Sequence, residues 1–364
     1  MTIESGLFQS AKAAAAFCLL MLVPGAIFAD TESPVDTSQL MSDAISHYDL
    51  GDFDTAAGLL RQVLEQEPNN GTAAYELALT YAALDDLKSC RATAKKYRRK
   101  LRNDADQADL LPQLYLLEAT CYSKSGASRK ALKVFREGLE QHPDDYGLNF
   151  NIAITLIQDE QYDGGILHLE RAIAADPSHP SPYFVIATAY RGVGRTARSL
   201  MAYLTFLQHE FNTERSAIAA QSVIDLLYSD VERTDEGVTI YTHLGSSPDD
   251  LDTEGLIRLV VAEVAAAGFT EDGIKEPLCD TGSHLITAFI SASVWFVEKE
   301  GAGDFLVDYL LPGIEGLHTE ELSKPFSYFV MSAAGVEGAD EWLESNTQAV
   351  DDLVQYFQMT AGAD

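Results

Sequence analysis

"YLLEATCYSKSGASRKALKVFREGLEQHP", running from Tyr115 to Pro143, decides how this chain is read. Both halves carry apolar residues at helical spacing, and Gly126 lies between them, where a left-handed turn costs glycine little. Ala119 and Ala131 are small enough to let two helices approach closely, while Tyr115, Tyr122 and Phe135 fill the space beside them. Pro143 ends the second helix, because its ring fixes φ and its nitrogen cannot donate to the helix ladder. The stretch is therefore a helix-turn-helix hairpin. One such hairpin cannot bury both its faces, so neighbours are needed.

The neighbours are written in the same phrase: "VLEQEPNNG" from Val63 and "AIAADPSHP" from Ala172 end in the same way. Pro68, Pro143 and Pro177 are 75 and 34 residues apart, which fits a unit of 34 repeated with one insertion of seven. In that register the first copy has Ala44, Gly51, Phe53, Ala56 and Leu60, and the second has Leu77, Ala78, Tyr81 and a divergent Cys90. The fourth supplies Ala153, Tyr162, Leu169 and Ala172, and the fifth Tyr183, Ala187, Tyr190 and Gly194. These residues resemble the tetratricopeptide repeat, of the kind found in bacterial secreted proteins. The resemblance covers five copies over residues 37–212 and implies an all-α fold, an α-solenoid superhelix whose first helices line a concave binding surface. The seven extra residues fall around "KKYRRKLRNDADQAD" and are almost two helical turns, so helices can lengthen there without rotating the packed faces.

Past residue 212 the repeat fades into "ERSAIAAQSVIDLLYSDV", a capping helix followed by a linker to about residue 240. Residues 241–364 read as a second, acidic, all-α domain, with helical patterns in "LIRLVVAEVAAAG", "LITAFISASVWFVEKEG", "FLVDYLLPGI", "PFSYFVMSAAG" and "EWLESNTQAVDDLVQYFQ". Its 23 acids against 4 bases supply much of the formal net charge of −31. A charge of that sign argues against nucleic acid or an anionic membrane as partner of the whole surface. An island of opposite sign, Arg91, Lys95, Lys96, Arg98, Arg99, Lys100 and Arg102, reads as a solvated outer helix face, or as a docking site for something acidic.

The first 29 residues resemble a secretory signal peptide: Lys12 precedes an apolar run that is short for a membrane span and is broken at Pro24-Gly25. Cleavage between Ala29 and Asp30 would send the chain to the periplasm or outside the cell, with no membrane contact afterwards; an uncleaved anchor is the alternative. The mature chain would keep Cys90, Cys121 and Cys279 in an oxidising compartment. Cys90 replaces the small residues Ala56, Ala131 and Gly165 of other second helices, and Cys121 replaces Ser46, Thr80, Thr155 and Ala189 of other first helices. Their helices are neighbours in the solenoid, so a Cys90–Cys121 disulfide is expected, against the alternative of two buried thiols.

No motif points to catalysis, a metal or a cofactor. "DTGS" at 280–283 imitates an aspartic-protease loop but has no second copy and lies in a helical context, where Thr281 or Ser283 would cap a helix starting at Leu285. "DLDTEG" at 250–255 begins like a calcium loop, but Val261 stands where the closing glutamate belongs. The function expected is non-catalytic: a scaffold that docks a protein or peptide in the concave groove. The alternative is an enzyme with its site in the C-terminal domain or at the junction. The groove residues expected are Met41, Tyr75, Leu116, Phe150 and Phe184 at one repeat position, Ile45, Leu79, Thr120, Ile154 and Thr188 one turn later, and Tyr48 and Arg191 beyond them. So apolar a lining favours a hydrophobic segment over a C-terminal carboxylate. It leaves open whether the groove is free or covered by the chain itself.

Overall fold

The computed structural model describes residues 36–229, 231–234, 237–240, 269–270, 273–274, 278–297 and 305–361. The leader, "DLDTEG" and the pattern from Leu256 lie outside the described residues.

Ten helices pair off into five hairpins: α1 (Thr37–Asp49) with α2 (Phe53–Gln66), α3 (Gly71–Ala83) with α4 (Leu87–Leu101), α5 (Leu110–Lys124) with α6 (Ser128–Leu139), α7 (Tyr146–Gln158) with α8 (Tyr162–Ala175), and α9 (Pro180–Gly192) with α10 (Thr196–His209). Side chains just before them start several of these helices. Asp36, Asp52, Asn70, Asp86 and Asp145 each accept a bond from a backbone N–H of the first turn, satisfying a donor the helix cannot use. The turn inside each hairpin needs one left-handed residue. Gly51, Gly126 and Gly194 supply it at φ 79°, 74° and 75°, but Asp85 and Glu160 adopt φ 58° at the same repeat position. Small residues close the helix contacts as expected, with Ala44, Ala78, Ala119, Ala153 and Ala187 all buried.

Only part of the insertion lengthens helices: α4 has 15 residues against 14 in α2, and α5 has 15 against 13 in α3. Between α4 and α5 the chain makes a 3₁₀ turn at Ala105–Gln107. Gln107 explains why: it accepts from Gly71 N at 2.7 Å and donates to Asn69 O at 3.2 Å, folding the insertion back onto the start of α3. A Cβ on Gly71 would lie 2.5 Å from that same Gln107 oxygen and 2.6 Å from the Leu101 side chain, so a larger residue there would require both side chains to shift.

α11 (Glu214–Leu227) stacks on α10, opened by a reciprocal cap between Thr213 and Ser216. Beyond it lie two short antiparallel strand pairs, β1 (Val231–Thr234) with β2 (Gly237–Ile240) and β3 (Phe269–Thr270) with β4 (Gly273–Ile274), which the all-α expectation did not include. The C-terminal helices are α12 (Leu278–Val297), α13 (Leu311–Thr319, entered through a π-helical turn at Leu306–Leu310), α14 (Ser323–Ala333), α15 (Ala339–Ser345) and α16 (Thr347–Ala361). The last sequence pattern is thus two helices, broken at Asn346. α12 also begins seven residues before Leu285. Thr281 and Ser283 are therefore buried inside the helix rather than capping it, and Ser283 Oγ lies 2.5 Å from Ser327 Oγ of α14.

These helices do not form a separate core. α12 and α14 pack on α11, and α13 and α16 on α10, so one apolar cluster runs from Ala153 through Phe206 to Phe357. α10 records the consequence in its sequence: Ser199 to Leu207 are buried without interruption, because the helix is covered on both sides.

Candidate partner-docking groove

The first helices lie side by side, α3 against α5, α5 against α7 and α7 against α9. Met41, Tyr75, Leu116, Phe150 and Phe184 therefore fall in one row across them, and all five are half-buried. One turn on, Ile45, Leu79, Thr120 and Ile154 are half-buried too, and Thr188 is exposed. Tyr48 is half-buried at one end, and Arg191 is exposed at the other. The row is not equally free along its length. Met41 packs into the first hairpin's core, Tyr75 and Leu79 into the second's, and Leu116 into the third's. Phe184 meets Phe206 and Tyr203 of α10 edge-on, at centroid distances of 5.2 and 5.9 Å, so it braces its own hairpin. Phe150 stacks on Tyr146 at 5.7 Å. Ile45 and Ile154 are the apolar members that belong to none of these packed sets.

The end of the row at α1 and α3 is acidic. Burial raises the Glu76 carboxyl above its ordinary range, and Asp49 adds to the shift. Burial and the same two acids push the Tyr48 hydroxyl up, and burial and Glu76 raise Tyr75. The Tyr48 ring is fixed by edge contact with Phe53 at 5.1 Å.

Behind the groove, α4 and α5 are joined covalently. Cys90 and Cys121, both fully buried, form a disulfide with Cα atoms 6.6 Å apart. A network that the sequence does not announce lies beside it: Glu118 is buried on α5 and accepts from Arg98 Nε at 2.9 Å. The Arg98 guanidinium also lies 4.4 Å from the centre of the Tyr115 ring and 3.4 Å from Glu137 of α6. Burial pushes the Glu118 carboxyl up, and Arg98 pulls it back down. Among the described residues no group of three or more His, Cys, Asp or Glu side chains is placed to hold a metal ion, and no helix is long and apolar enough to cross a membrane.

A solenoid of paired helices presenting a half-buried row on adjacent first helices defines a helical-repeat interaction scaffold. Family models described as "Tetratricopeptide repeat" match residues 47–114 and 116–180, so this part of the chain carries tetratricopeptide repeats. No curated protein matches it. Similar solved structures include a crystal structure of MamA (19% identity, 48% of this chain and 91% of that one, TM-score 0.39). Another is TTC0263, a thermophilic TPR protein of Thermus thermophilus (18%, 52% and 99%, TM-score 0.41). A third is PilF of Pseudomonas aeruginosa (15%, 53% and 83%, TM-score 0.43).

Proposed function

We propose that the protein is a non-catalytic adaptor of the cell envelope that holds an apolar segment of another polypeptide along its first helices. The observation that carries this reading is the row itself. Apolar side chains at equivalent positions of successive repeats stay half-buried, while the C-terminal helices pack principally on α10 and α11. Such a stripe suits an amphipathic or extended hydrophobic segment. Export is supported by the leader and by the Cys90–Cys121 disulfide, which persists in oxidising compartments. Affinity capture from the envelope with the wild type and with an Ile45→Asp/Ile154→Asp variant tests the reading. Loss of a captured partner with an unchanged melting curve is expected. Capture at full strength by the variant would overturn it.

A further inference from the structure

Between Lys88 and Arg136 the chain holds 13 bases against 4 acids, in a protein that otherwise has a large excess of acids. In the fold most of these bases converge on α4 and α6, the outer helices of the second and third repeats. On α4 the exposed members include Lys96, Arg99 and Lys100, and on α6 they are Arg129, Lys130, Lys133 and Arg136. Two contacts show that the helices share one surface. Arg91 of α4 and Lys130 of α6 lie 5.0 and 6.0 Å from the centre of the same Tyr122 ring, and Arg98 of α4 reaches Glu137 of α6. Some of the charge is used internally, by Arg98 on Glu118 and by Arg91 on Cys121 O and Ser125 Oγ. Among the described residues, Arg99, Arg102, Arg129 and Lys133 form no ion pair.

The opposite charge stands at the other end of the molecule. Residues 311–361 hold 9 acids against 1 base. Glu337, Asp340, Glu341, Glu344, Asp351 and Asp352 are all exposed on or beside α15 and α16, where Val354 and Met359 are also 44% and 67% exposed. The acidic helices cannot swing onto their own basic face, because they are built into the core shared with α10 and α11, and α7 to α9 lie between.

We infer that the basic face of α4 and α6 docks the acidic α15–α16 end of a second copy of this chain, head to tail. The net charge of −31 opposes association at long range. At physiological salt, however, charges more than about 8 Å apart are largely screened, so the facing patches decide. The two patches differ, so the contact is heterologous and extends into a row of subunits unless the rotation closes a ring. Each subunit would then present its groove at a regular spacing.

Sedimentation velocity over a hundredfold range of concentration at physiological salt tests this. The wild type is expected to grow beyond the monomer, and at about 0.5 M salt to fall back to it. Arg99→Glu/Arg129→Glu/Lys133→Glu and, separately, Glu341→Lys/Glu344→Lys/Asp351→Lys should each weaken association at least tenfold with unchanged helical melting, and an equimolar mixture of the two should associate again. A wild type that stays monomeric throughout would overturn the inference. So would association that either reversal leaves intact, or a mixture that stays monomeric.

Discussion

Reducing the Cys90–Cys121 disulfide removes a single covalent link and leaves every other side chain in place. Both sulfurs sit in fully buried positions, where the thiols would remain as small apolar filler, so the loss acts on the unfolded chain. The bridge spans 31 residues of sequence. In the chain-entropy relation a loop of that size restricts the unfolded state by about 3.7 kcal/mol at 25 °C, an upper figure if the bridge is strained. With a urea slope of about 2 to 3 kcal/mol per M, the unfolding midpoint should fall by about 1 to 2 M. Stability in a repeat array is local, so the loss should appear first in helices α3 to α6 and spread to their neighbours. Urea titration followed by circular dichroism, with and without reductant, measures the shift. Alkylation under denaturing conditions, with peptide mapping, checks that Cys90 and Cys121 are protected until reduced. An unchanged midpoint, or alkylation of both cysteines without reductant, would refute the reasoning.

Glu160→Gly should stabilise the protein by about 1 kcal/mol, read as a raised melting temperature, because it relieves a side chain held at φ 58° in a hairpin turn. Arg98→Met leaves the buried Glu118 without its cation and should cost about 3 kcal/mol in urea unfolding; Glu118→Gln in the same chain should recover part of it. His168, bonded through Nδ1 to Asn149 Oδ1, has its pKa lowered to about 4 by burial and by Arg171 and Arg136. Its neutral form is favoured by the fold, so this contribution is complete above about pH 6.5 and is lost as pH falls towards about 4. His168→Gln should flatten the fall in melting temperature across that window.

The repeat is legible in the sequence because it rests on residues that cannot be exchanged freely: alanines at helix crossings, prolines at helix ends and glycines in three of the five turns. Asp85 and Glu160 hide the other two turns, since a left-handed turn tolerates a side chain at some cost. The insertion lengthens α4 and α5 only in part, because Gln107's bonds to Gly71 and Asn69 favour a folded loop between them, which its length alone does not reveal. The break at Asn346 has no proline or glycine to mark it. For the groove, the repeat register names the row but not its inequality. That Phe184 braces α10 while Ile154 stays outside the packed cores depends on how far each hairpin leans on its partner, which spacing does not record. The basic face is half visible: α4 carries a dense run of bases, but its continuation on α6 emerges only when the two hairpins are stacked.

The docking claim is tested most directly by placing a photo-crosslinking amino acid at Ile154, in the groove, and in a second protein at Leu167, which is 48% exposed on the outer helix α8. Both are irradiated in the native host. A discrete adduct with another polypeptide from position 154, competed away by excess unlabelled wild type and absent from position 167, is the result predicted. Adducts from 167 but not from 154 would contradict it.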